Sequence, residues 1–250
     1  MTNTARFADR PVRDGGTPIH AWLSALQHLP VLDLTKCPEI VVVGAHPDDE
    51  TLGFGGAAST LAGMGVPVQV VSASDGGASH GALSNPERSR LERIRRAELH
   101  LALDALGAPE PISLGLPDGR IADHEDQLAD LLTDILLART HGTWCAATWR
   151  GDGHPDHEAV GRAAAIAAER SGAALLEYPV WMWHWAHPDD DAVPWKRASR
   201  VSPTRDASGR KYAAAQLFRS QYEDRGEELG PVLPPDVVRR LLAVDEVVFR

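Results

Sequence analysis

The chain has 250 residues, 43% of them hydrophobic, with seven Trp and a formal net charge of −10. That length suits one large domain, or one domain with a small appendage. The acidic balance argues against nucleic acid or an anionic membrane surface as the main partner, since both reward clustered Lys and Arg.

No apolar run approaches the roughly 20 residues of a membrane helix. The opening MTNTARFADRPVRDGG lacks the apolar stretch of a secretory signal. Cys37 and Cys145 are expected as two reduced, partly buried thiols of a cytoplasmic protein.

Residues 1–16 are polar, end in Gly15 and Gly16, and read as mobile. Residues 17–29 predict a short helix with Trp22, Leu23 and Leu26 on one side. The continuous β-branched run from Ile40 to Val43 predicts a strand buried on both faces. A small-residue helix is expected near 55–64 and a second strand from Val66 to Ser72. Asn85 as N-cap and Pro86 at the first helical position open a long helix that Gly107 ends. A third strand fits Pro111 to Leu114, and Leu128, Leu131, Leu132, Ile135 and Leu136 mark the next helix. Thr143 to Trp149, an Ala-rich helix from His157 to Ser171, and a strand from Leu175 to Trp181 complete the pattern.

Strand–helix alternation implies a single-domain α/β fold with a mostly parallel sheet and helices on both faces. The expected organisation is an N-terminal extension (1–37), a main domain (38–225) and a C-terminal tail (226–250) packing on it.

Polar motifs follow the strands: AHPDDE (45–50), SDGG (74–77), LPDG (116–119) and GDGHPDH (151–157). Ligand sites in open parallel sheets lie beyond the carboxyl ends of the strands, so these motifs are expected to converge on one cleft. Pro47 keeps its neighbours out of a plain helix. On such a turn His46 and Asp49 can face one ion, and HPDH supplies two further imidazoles. Imidazole nitrogen and carboxylate oxygen suit a borderline cation such as zinc, with other divalent metals also possible; a three-ligand set leaves a position open for water, as in a catalytic site. AHPDD recurs at 186–190, where no buried strand delivers it and no helix follows. The second copy is read as an exposed loop.

On AHPDDE, the Arg95–Glu98 pair in RRAEL, LPDG, and HPDH with its Ala-rich helix, the sequence resembles the LmbE-like (PIG-L) family of de-N-acetylases. The resemblance runs from about residue 38 to 180, and Lys211 and Ser220-Gln221 look like the family's C-terminal helix. It implies a Rossmann-like fold, a divalent metal, usually zinc, and removal of the acetyl group from an N-acetylglucosamine-like conjugate. His46, Asp49 and His157 then match the metal ligands, Asp48 the general base, and His154 a charged transition-state stabiliser. Arg95 and Asp118 match contacts to sugar hydroxyls.

Glu50 and Asp156 are expected to orient neighbouring imidazoles or backbone. Glu98 falls on the apolar stripe of its helix, with Arg95 three residues before it, and is expected to orient Arg95 toward the cleft. Asp75, Gly76 and Gly77 are read as a flexible wall admitting ligand. Trp181, Trp183, His184, Trp185 and Trp195 fit either a sugar platform or core plus a dimer contact, so a homo-oligomer stays open. The alternatives are hydrolysis of another small amide such as a thiol-sugar conjugate, and a non-catalytic Rossmann-like module binding a sugar or nucleotide. A nucleotide module lacks the expected G-x-G-x-x-G after the first strand. An oxygen-activating ferrous site would call for an all-β scaffold.

Overall fold

The computed structural model describes residues 1–224 and 230–250. Five parallel strands form the heart of the sheet: β1 (Ile40–Gly44), β2 (Val68–Ser74), β3 (Ile112–Leu116), β4 (Trp144–Thr148) and β5 (Ala174–Tyr178). Two short strands, β6 (Ala198–Arg200) and β7 (Val247–Phe249), extend it in the order β3-β2-β1-β4-β5-β7-β6, with β7 antiparallel to both its neighbours.

Every residue of β1 is buried, as its unbroken Ile-Val-Val-Val run requires. Ile40 and Val42 point into one core, and Val41 and Val43 into the other. The first core lies under α3 (Asp49–Gly63), α4 (Asn85–Leu106) and α8 (Arg205–Ala215); the second lies under α5 (Glu125–Leu137) and α6 (Pro155–Ser171). Helices therefore cover both faces of a mostly parallel sheet, as the alternation implied.

Several boundaries differ from the sequence reading. The helix expected from residue 55 begins at Asp49, because the turn closes at Asp48 and the carboxyls of Asp49 and Glu50 are favoured in a helical first turn. Ser84, not Asn85, caps α4: it forms a capping box with Glu87, leaving Asn85 as the first helical residue. β5 stops at Tyr178, and the short α7 (Met182–Trp185) follows it.

The two ends of the chain are also more built in than their composition suggested. Residues expected to be mobile form α1 (Asn3–Ala8), which packs on α7, and α2 (Ile19–Leu26) buries Trp22 and Leu26. The expected tail begins at 226; residues 226–229 lie outside the described residues. Beyond them, α10 (Pro235–Ala243) joins the first core and β7 enters the sheet between β5 and β6.

Cys37 and Cys145 are buried free thiols, both pushed up to about 12 by burial. Among the described residues no helix is long and apolar enough to cross a membrane.

Candidate active site

The strand order reverses between β1 and β4, so the crevice where ligands gather in such sheets lies between their carboxyl ends. A cleft of about 320 Å³ opens there, lined among others by His46, Asp48, Asp49, Arg95, Asp118 and His154.

After β1 the chain turns tightly: the Asp49 amide donates to the His46 carbonyl at 3.3 Å, and the His46 amide to Asp49 Oδ2 at 2.8 Å. Asp48 adopts φ 138°, a conformation that costs a non-glycine residue about 1–3 kcal/mol. Arg95, from α4, holds it there. Its guanidinium donates to Asp48 Oδ2 at 3.1 Å, to the Pro47 carbonyl at 2.9 Å and to the Gly76 carbonyl at 3.0 Å. Glu50 accepts from the Asp48 amide at 3.2 Å.

After β4, a loop leads to His154, which caps α6 by accepting the Asp156 amide proton on Nδ1. One turn on, His157 is wholly buried. Its Nδ1 is 2.8 Å from Asp152 Oδ2. Asp152 also accepts from the backbone amides of Val180, Trp181 and Met182 at 2.8–2.9 Å, which fixes the carboxylate and through it the ring.

Ligand atoms of His46, Asp49 and His157 lie within 4.8 Å of one another. His157 Nε2 is 3.2 Å from Asp49 Oδ1, yet it is buried and makes no hydrogen bond. A buried ring nitrogen left unsatisfied beside a carboxylate and a second imidazole is what a three-ligand cation site looks like, and the donor set suits zinc chemistry. His46, Asp156 and His154 form a second group within the same distance. There Asp156 already accepts from the Gly119 and Ile121 amides and His154 Nδ1 is taken by the cap, so the group serves as a brace.

His46 turns Nδ1 toward Asp49 Oδ2 at 3.4 Å, while Nε2 is held by Asp118 at 3.0 Å and Asp156 at 3.2 Å. Burial disfavours charge on His46 and His157, but facing carboxylates overcome it: His46 lies well above the usual imidazole range and His157 at about 9. Burial acts to raise Asp49, and the two imidazoles hold it well below the carboxylate range. Burial together with Asp49 pushes Asp48 up to about 7 against the pull of Arg95; burial and Asp48 do the same to Glu50. His154 is depressed to about 3 by burial and by its neighbours His157 and His46. With Nδ1 accepting at the cap, the ring's proton is on Nε2.

Residues 41–168 match the PIG-L family, described as GlcNAc-PI de-N-acetylase. The chain belongs to that family. It is 32% identical over 169 residues to 1D-myo-inositol 2-acetamido-2-deoxy-alpha-D-glucopyranoside deacetylase of Mycobacterium sp. (strain KMS), covering 58% of this chain and 54% of the relative. It is 31% identical over 135 residues to a probable N-acetyl-alpha-D-glucosaminyl L-malate deacetylase 2 of Bacillus cereus, covering 52% and 61%. The chain thus spans between about half and three fifths of the length of these relatives. The fold resembles N,N'-diacetylchitobiose deacetylase from Pyrococcus horikoshii, with a TM-score of 0.57 and 21% identity over 83% of this chain and 81% of the other.

Within this PIG-L site, some expected roles shift. Glu98 does not hold Arg95; it accepts from the Ser220 amide at 2.8 Å and hydroxyl at 2.6 Å, fastening α9 (Arg219–Tyr222) to α4. Gly76 (φ 69°) makes room for Arg95, whose guanidinium fills the space a Cβ would take, so the loop's approach serves the arginine and not a ligand. Ala78 and Ser79 line the cleft instead. Asp118 lines the cleft too, with one oxygen on His46 and the other accepting from the Ala78 amide at 2.6 Å.

Of the tryptophan cluster, Trp183 and Trp185 are core, with Trp183 packed edge-on against Trp22 at 5.0 Å, and Trp181 alone reaches the cleft. The second AHPDD is only half a surface loop: His187 is exposed, but Asp190 is buried and paired with Arg6 at 2.8 Å. Asp152 and Gln221 escaped the sequence reading as site residues. Asp152 stands five residues before His157 on a strand-end loop, a usable signal, whereas Gln221 reaches the cleft from a four-residue helix far along the chain.

Proposed function

We propose that the chain is a zinc-dependent hydrolase that removes the N-acetyl group from a small N-acetylglucosamine-like conjugate. The observation that carries this reading is the unsatisfied buried Nε2 of His157, facing Asp49 beside His46 in the cleft. His46, Asp49 and His157 would hold the cation. When bound, it would supply Lewis acidity and a water whose pKa is lowered toward about 7.

The remaining chemistry falls to the chain's own residues. Asp48 is beside the ligand cluster, lines the cleft, and with a pKa of about 7 can take a proton from the attacking water. Arg95 keeps that carboxylate aimed by holding the strained turn. As water adds to the acetamide carbon, negative charge grows on the carbonyl oxygen, and the Nε2–H of His154 can donate to it. The C–N bond then breaks, and the proton taken by Asp48 passes to the departing amine, giving acetate and a free amino sugar. Arg95, Asp118 and Trp181 form the wall that would meet sugar hydroxyls and a ring face.

The relatives named above support an amino-sugar substrate. Acetate release would be measured with 1D-myo-inositol 2-acetamido-2-deoxy-α-D-glucopyranoside, N-acetyl-α-D-glucosaminyl L-malate and N,N'-diacetylchitobiose, each with and without a chelator. Chelator-sensitive acetate release from at least one is expected. No release from any of them by the zinc-loaded protein would remove the amino-sugar reading.

A further inference from the structure

The segment before residue 41 lies outside the family match, yet it reaches the back of the active site. Asn3 donates to the Gly151 carbonyl at 2.8 Å. Thr4 donates to Glu158 Oε2 at 3.1 Å, and Glu158 Oε1 in turn accepts from the Gly153 amide at 3.1 Å. The loop that delivers His154 is thus held by two α1 side chains, one directly and one through Glu158.

Phe7 fills the space behind the cleft wall. Its ring centroid is 5.1 Å from that of Trp181 and 6.4 Å from that of His154, the two aromatic groups on this side of the cleft. Gly153, at φ 94°, passes so close that an added Cβ would lie 2.7 Å from Trp185 Nε1 and 2.9 Å from Phe7 Cβ, so the loop is fitted against both residues. Arg6 latches the helix: its guanidinium donates to the buried Asp190 at 2.8 Å and lies 5.1 Å from the Trp185 ring centroid. Asp190 closes the second AHPDD, a motif the proposed chemistry leaves unused. Arg10 donates to the Trp185 carbonyl at 2.9 Å.

We propose that Phe7 is a positioning residue for His154 and Trp181, and that Asp190, at the end of the second AHPDD, serves as the latch that seats it. The segment 3–10 then backs this chain's active-site wall. Without the Phe7 ring, Trp181 and the 151–154 loop lose their backing, and the imidazole that meets the developing oxyanion loses its fixed position. Misplacing such a donor costs rate more than affinity, because the contact strengthens in the transition state.

The test uses the full-length, zinc-loaded protein and the variants Phe7→Ala, Phe7→Leu and Arg6→Ala. Zinc content, acetate release and hydrogen exchange of peptides spanning 149–158 and 179–187 are measured. Phe7→Ala is expected to lower kcat about tenfold with KM changed less than about threefold, to keep its zinc, and to exchange faster in those two segments only. Phe7→Leu restores most of the rate, and Arg6→Ala shifts exchange in the same direction by less. Wild-type kcat and wild-type exchange in both Phe7→Ala and Arg6→Ala would overturn the proposal. So would a rate loss that merely follows zinc loss or a general acceleration of exchange across β1 and α3. Only the kinetic arm rests on the deacetylase reading. Exchange is read without substrate, so a failure of that reading and a failure of this one are distinguishable.

Discussion

The molecule contains the same five residues twice, at 45–49 and 186–190, and the two copies share part of a turn. In each, the amide of the last Asp donates to the His carbonyl, at 3.3 Å in the first copy and 3.1 Å in the second. In each, the fourth residue takes positive φ: Asp48 and Asp189 are the only non-glycine residues among those described that do so. The rings are turned differently: His46 brings Nδ1, and His187 brings Nε2, to 3.4 Å from the last Asp. What surrounds the turn differs too. The first copy leaves a buried central strand at the point where strand order reverses and faces the HPDH of the neighbouring strand. The second follows a four-residue helix, exposes His187 and commits Asp190 to Arg6. Local sequence makes the turn, and topology decides whether it becomes a site.

The sharpest way to break that contrast is to remove a group only the first copy uses. Asp48→Asn should keep the cation but lower hydrolysis by about 10²–10⁴, the usual worth of a positioned base. Near-normal turnover would remove Asp48 from that role. The wild-type profile should carry the same signature. Asp48 must be ionised to accept a proton, and with its pKa pushed up to about 7, kcat/KM should rise with pH through that region and fall as pH drops below it. A profile flat from about pH 5 to pH 8 would contradict the assignment.

A smaller effect is expected behind His157. Asp152→Asn keeps the shape of the side chain but replaces the carboxylate facing Nδ1, and should weaken zinc affinity about 10–100-fold with the fold intact, as read by titration with a competing chelator. Unchanged affinity would show that the backbone amides of 180–182 alone place the loop. The smallest effect belongs to the second copy. His187 is exposed, so His187→Ala should leave zinc content and acetate release unchanged within error; a clear loss of either would erase the distinction between the copies.

Much of the site was legible because its parts stand next to strong local signals. The β-branched run from Ile40 announced a central strand, and two of the three His-Pro-Asp motifs followed strands. The helix after HPDH was expected from His157, but it begins at Pro155 with His154 as its cap. What escaped depends on partners distant in sequence. Glu98 looked like the companion of Arg95 from spacing alone, but its partner is Ser220, 122 residues away. Asp152 reads as a turn residue until the amides of 180–182 are seen to converge on it.

Short elements were illegible for a related reason. A six-residue helix such as α1 and a three-residue strand such as β7 have too little intrinsic stability to leave a pattern; tertiary contacts hold them. The Trp cluster was ambiguous because a buried and a cleft-lining tryptophan look identical in sequence. Only packing separates Trp183 and Trp185 from Trp181.

The central claim is that His46, Asp49 and His157 hold one catalytic cation. Zinc content of the purified wild type, His157→Ala and His187→Ala tests it most directly. The expected result is about one zinc per chain in the wild type and in His187→Ala, and little in His157→Ala. A well-folded wild type that takes up no divalent cation, or a His157→Ala protein that keeps it, would contradict the account.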